Sequence, residues 1–153
     1  MSISRPLSLI CLACWSVTAA AETEIASDIE RMLAREKLVV NGVEILALDI
    51  IRDVYRDHGF EPYWTDNSNI RELMELIRES ADHGLNPQDY NMAQLREILG
   101  QRQKNRSAEI AAEADIMLTE SLLRYGYHRH LGKANTGRSL PMAAGRWCPG
   151  APH

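Results

Sequence analysis

Residues Ile70, Leu73, Met74, Ile77 and Ala81 recur at intervals of three and four, and Gly84 follows them. On a helix of 3.6 residues per turn this spacing gathers the side chains on one face, and glycine supplies a left-handed stop. So regular a stripe is buried most simply against other helices, and the rest of the chain offers them. Ile25, Ile29, Met32 and Leu33 predict a helix over 22–37, and Leu48, Ile51, Val54 and Tyr55 predict one over 43–58 that stops at Gly59. The stripe at Ile70 belongs to a third helix over 68–83. Asn91, with Gln94 three residues on, resembles a capping box for a short helix through Gln103 whose inner face is Met92, Leu95, Ile98 and Leu99. Ser107 is placed to cap a long helix ending near Gly132, with Ile110, Ala114, Met117, Leu118, Leu122 and Tyr125 on one face. The expected fold is all-α, a small domain of about five helices.

The connectors carry their own signals. Leu38 to Gly42, with two valines followed by Asn41-Gly42, predicts an extended connector and a turn. Phe60-Glu61-Pro62-Tyr63-Trp64-Thr65-Asp66 is an aromatic loop in which Asp66 or Asn67 can cap the third helix. Residues 85–90 form a turn around Pro87, and 101–106 are a polar, basic surface loop. Residues 134–153 mix Gly137, Pro141, Gly145, Pro149, Gly150 and Pro152 with no apolar period, so a disordered tail is expected there.

At the N-terminus, Arg5, an apolar run over 7–17 and Ala19-Ala20-Ala21 have the layout of a secretory signal cleaved after Ala21. The run falls short of the roughly 20 residues that span a bilayer, so no transmembrane anchor is expected after cleavage. Lipid attachment at Cys14 is the competing reading, opposed by Cys11 standing where a large aliphatic residue is wanted. The expected division is thus a signal peptide over 1–21, a helical domain over 22–133 and a tail over 134–153. Only Cys148 of the three cysteines survives cleavage, which leaves no internal disulfide. With 17 basic and 21 acidic side chains the chain carries a net charge of −4, and nucleic acid is not an expected partner.

Candidate chemistry is sparse. Cys148 lies between Trp147 and Pro149 in the unpatterned tail, without an element to position a base beside it. His128 and His130 are two apart and point to nearly opposite sides of a helix, so they do not share a metal ion. His58 and His83 each precede a helix-stopping glycine, and Asp53 and Asp57, one turn apart, adjoin Arg52 and Arg56 on a charged face. No catalytic, cofactor-binding or metal-ligating residue is therefore assigned. Phe60, Tyr63 and Trp64 form a possible interaction loop, able to stack on a sugar or a partner, or to cover the end of the core; burial of the aromatics is the favoured of these.

Taken in order, Val54-Tyr55 with Gly59-Phe60-Glu61-Pro62-Tyr63-Trp64, then His83-Gly84-Leu85-Asn86-Pro87-Gln88-Asp89-Tyr90, then residues 115–125 and Gly132-Lys133, resemble a known pattern. It is that of the N-terminal helical scaffold domain of the large murein L,D-transpeptidases, periplasmic enzymes that cross-link the cell wall. The resemblance implies a helical body packed beside a peptidoglycan-binding module and a catalytic domain with a Ser-His-Gly-Cys type motif. No such motif occurs here, so the implied role is a non-catalytic scaffold, either a truncated or frame-shifted form or one acting through a partner. The implied partners are a transpeptidase catalytic domain or peptidoglycan, and the implied location is the periplasm. The alternative is a free-standing periplasmic module that binds cell-wall glycan or an envelope protein.

Overall fold

The computed structural model describes residues 14–131. Its elements are α1 (Cys14–Leu33), a hairpin of β1 (Val39–Val40) and β2 (Val43–Glu44), α2 (Leu48–Asp57), α3 (Asn67–Glu79), α4 (Met92–Lys104) and α5 (Ala108–Leu131). Short 3-10 turns, Ser80–His83 and Pro87–Tyr90, join α3 to α4. The expected all-α class is what the chain adopts, with one two-residue-per-strand hairpin added.

The hairpin revises the second expected helix. Asn41 and Gly42 take positive φ of 46° and 77°, the conformation that a tight antiparallel reversal requires. The chain therefore returns as a strand, pairing Val40 with Val43 and Val39 with Glu44, and α2 starts at Leu48 rather than Val43. Asn41 Nδ2 donates to the Gln94 carbonyl at 3.3 Å, tying the hairpin tip to α4. The first helix also differs in extent: it is already formed at Cys14 and ends at Leu33, short of Lys37. Arg52 closes that end, donating from Nε to the Leu33 carbonyl at 2.8 Å and from Nη2 to the Arg35 carbonyl at 3.1 Å. Carbonyls in the last turn of a helix lack intrahelical donors, and the guanidinium fork supplies them.

Glycine ends two segments as expected. At Gly59 the amide bonds back to the Arg56 carbonyl and Phe60 N–H to the Tyr55 carbonyl; at Gly84 the same pair joins Ala81 and Ser80. Asp66 is the cap of α3, its Oδ1 accepting from Ser68 N at 2.7 Å. The last turn of the third segment tightens from α to 3-10, which rotates the inward position from Ala81, exposed, to Ser80, buried. The Asn91 capping box does not form: Asn91 sits at φ 58° and its side chain turns inward to Ser121.

The core lies around α5. Every residue from Ala114 to Ser121 is buried, so this helix is covered on all sides by α1, α4 and the shorter elements. A single apolar stripe is what a surface helix shows; α5 is central, and its stripe breaks down. Leu122, expected inside, is 40 % exposed, while Asp115, Thr119, Glu120 and Ser121 are buried. Ile29, Leu33, Ile51, Leu73, Ile77, Leu95 and Ile98 fill the space between the helices, each no more than 2 % exposed.

Candidate functional site

A helix that buries four polar side chains must give each a partner, since an unmatched buried polar group costs about 1–3 kcal/mol. On α5 the partners arrive from the loops. Asp115 Oδ1 accepts from Tyr55 Oη at 2.6 Å and from Tyr63 N at 3.0 Å, and Oδ2 accepts from Trp64 N at 2.9 Å. One turn on, Thr119 Oγ1 accepts from Trp64 Nε1 at 2.9 Å, lies 2.9 Å from Tyr55 Oη and donates to the Asp115 carbonyl. The aromatic loop is thus pinned by its own backbone. Its outgoing carbonyl, at Trp64, is held by Arg102 Nη2 of α4 at 3.1 Å.

The next two polar residues of α5 pin other segments. Glu120 accepts from Ala47 N at 3.2 Å and pairs with Arg124, whose Nη1 reaches the Asp89 carbonyl at 3.2 Å. Ser121 accepts from Asn91 Nδ2 at 3.3 Å and donates to the Met117 carbonyl at 2.8 Å. His128 Nδ1 is 3.2 Å from Tyr90 Oη, so the turn at 87–90 is also fastened from its aromatic end.

Burial sets the electrostatics of this network. It pushes the Asp115 carboxyl above the ordinary carboxylate range, although the Tyr55 hydroxyl, the Trp64 and Tyr63 amides and nearby Arg102 all pull it down. The same burial, with Asp115 next to it, raises the Tyr55 phenol far beyond its usual value. A tyrosine that stays protonated, fixed on an enclosed carboxylate, anchors α2 to α5.

The three aromatics of the loop have separate fates. Trp64 is 9 % exposed and belongs to the core; Phe60, at φ 60°, packs against its edge. Tyr63 is 39 % exposed, yet its ring stacks on His58 with centroids 4.3 Å apart and meets Tyr55 edge-on at 5.2 Å. Elsewhere, Asp53 forms an exposed pair with Arg56 at 2.7 Å, and His83 and His130 are exposed. Among the described residues no cluster of three metal-ligating side chains occurs. Cys148 lies outside the described residues, as does the expected tail over 134–153.

Of the residues that assemble this network, Tyr55, Tyr63, Trp64, Asp89, Tyr90, Asp115, Thr119, Glu120, Ser121 and Arg124 fall within the pieces that carry the family resemblance, and Ala47, Asn91, Arg102 and His128 fall outside them. A family model described as Scaffold domain matches residues 49–146. The chain belongs to the Scaffold domain family. The match covers α2 to α5 and continues past Lys133, the boundary expected for the domain. No curated protein and no solved structure matches the chain. Scaffold membership fits the geometry: the side chains that look most like chemistry hold the loops of the Scaffold domain against its central helix.

Proposed function

We propose that this Scaffold domain serves a peptidoglycan L,D-transpeptidase system as its non-catalytic body, exported to the periplasm and acting through a catalytic partner in cell-wall cross-linking. One observation carries the reading: Asp115, Tyr55, Thr119 and Glu120, four polar residues within the family pattern, are enclosed and held by loop-fixing hydrogen bonds. They build a platform, and the platform's product is rigidity. Export is compatible with the fold, because residues 20–24 around the expected cleavage point are exposed, and cleavage after Ala21 leaves Ile29, Met32 and Leu33 on the shortened α1.

The test is co-purification. The chain, mixed with a separately expressed L,D-transpeptidase catalytic domain carrying the Ser-His-Gly-Cys type motif, is expected to elute from a sizing column as a stoichiometric complex. Two unshifted peaks would remove the proposal. The glycan-binding reading rests on the exposed Tyr63, one face of whose ring is already occupied by His58. Sedimentation with purified sacculi, compared with Tyr63→Ala, separates the two: loss of pelleting in the variant would favour the glycan.

A further inference from the structure

The facing sides of α3 and α4 leave an open groove of about 1070 Å³ that meets the loop-fixing network at Arg102, the partner of the Trp64 carbonyl. Its α3 wall carries Arg71 and Arg78, two turns apart on one face, and its other wall carries Arg96, Arg102 and Arg106. In a chain of net charge −4 this gathers five of 17 basic side chains beside one carboxylate, Glu75, which Arg78 already neutralises at 2.6 Å. Between the arginines the floor is aliphatic, with Ile70, Met74, Met92 and Leu99. Arg96 and Arg106 hold no ion pair or hydrogen bond among the described residues, and Arg102 Nη1 is buried without an acceptor.

We propose that this groove is a docking site for an acidic peptide segment of another protein, its carboxylates forked by Arg71, Arg96 and Arg106 and its aliphatic side chains laid on the Ile70–Met74–Leu99 floor. Guanidinium and carboxylate pair through two parallel hydrogen bonds, which gives the site a preference for carboxylate geometry as well as for charge. The apolar floor decides between peptide and polyanion. A nucleic acid or an acidic glycan would satisfy the arginines and leave the methionine and leucine surface wet, and the groove has no aromatic ring on which a base would stack. The segments 1–13 and 132–153 contain no Asp or Glu, so the undescribed parts of this chain supply no side-chain carboxylate to fill it. The inference is independent of the cell-wall reading.

The experiment is fluorescence anisotropy of the purified chain with a labelled peptide of alternating Glu and Leu. Binding is expected to weaken about tenfold when the Glu residues are replaced by Gln, and by a similar factor in an Arg96→Glu, Arg106→Glu double variant, while Lys37→Gln, on the exposed hairpin side, leaves it unchanged. Circular dichroism of the double variant confirms that both arginines are dispensable for folding. Equal binding of the Gln peptide, or of a peptide with Ser in place of Leu, would overturn the proposal. So would a single-stranded oligonucleotide binding as tightly as the peptide, or sedimentation showing that the groove is closed by a second copy of this chain.

Discussion

Asp115 on α5 holds the backbone amide of Trp64 at 2.9 Å through one carboxylate oxygen and the Tyr55 hydroxyl at 2.6 Å through the other, joining α2, the aromatic loop and the central helix at one side chain. Removing that carboxylate takes the acceptor from three donors, the Trp64 amide and the Tyr55 hydroxyl in the interior and the Tyr63 amide at its edge. Asp115→Ala is expected to lower stability by about 3 kcal/mol or more, since each unsatisfied buried group costs about 1–3 kcal/mol and relaxation recovers part of it. Urea unfolding followed by circular dichroism measures this directly. A loss under 1 kcal/mol would mean that the loop is held elsewhere.

The loop aromatics should separate by burial. Trp64→Ala empties a core site and is expected to cost about 3–5 kcal/mol, whereas Trp64→Phe, which removes the indole donor to Thr119 and part of the ring, should cost about 1–2 kcal/mol. Tyr63→Ala removes a ring that is already 39 % exposed and should fall below about 1 kcal/mol. Equal losses from Trp64→Ala and Tyr63→Ala would contradict the division of labour described above.

Periodicity was enough to place the helices, because stripes such as Ile70, Leu73 and Ile77 face one partner surface and stay in phase. It failed where a helix has no outside. Along 114–121 the neighbours enclose α5 on every side, so inward and outward positions lose their contrast, and Asp115, Thr119, Glu120 and Ser121 read as polar interruptions. The signal was present: four polar residues within seven positions of an otherwise apolar stretch must each find a partner. What sequence alone does not contain is which loop brings it. The arginines of the α3–α4 groove were equally visible one by one, but Arg71 and Arg96 become a common surface only when the two helices pack side by side.

Arg52 offers a test of how much an end cap contributes. Its side chain is the donor for the Leu33 and Arg35 carbonyls at the close of α1, and it pairs with Asp49 on its own helix at 2.6 Å. Arg52→Ala should cost about 1–2 kcal/mol through the two freed carbonyls, while Asp49→Ala, which removes only the solvent-exposed ion pair, should cost under about 0.5 kcal/mol. Hydrogen exchange at the last turn of α1 should quicken in the first variant and not in the second. Equal effects would assign the role to the ion pair instead of the cap.

The Asp115 carboxyl also predicts a pH dependence. Its pKa in the fold stands above the ordinary carboxylate value because burial disfavours the charged form, so the folded protein binds this proton more readily than the unfolded chain does. Between those two pKa values the folded state carries the extra proton. The contribution of Asp115 therefore improves as pH falls from the raised value to the ordinary one, then levels off. Asp66, lowered by the Ser68 amide, and Glu75, lowered by Arg78, work in the opposite direction and lose their contribution on acidification. Total stability mixes both trends, but a difference curve does not. The stability of the native chain minus that of Asp115→Asn, measured by urea unfolding at successive pH values, cancels the shared groups and is expected to rise toward acid. A difference that falls as pH is lowered would show that the three donors outweigh burial and that Asp115 is held ionised in the fold.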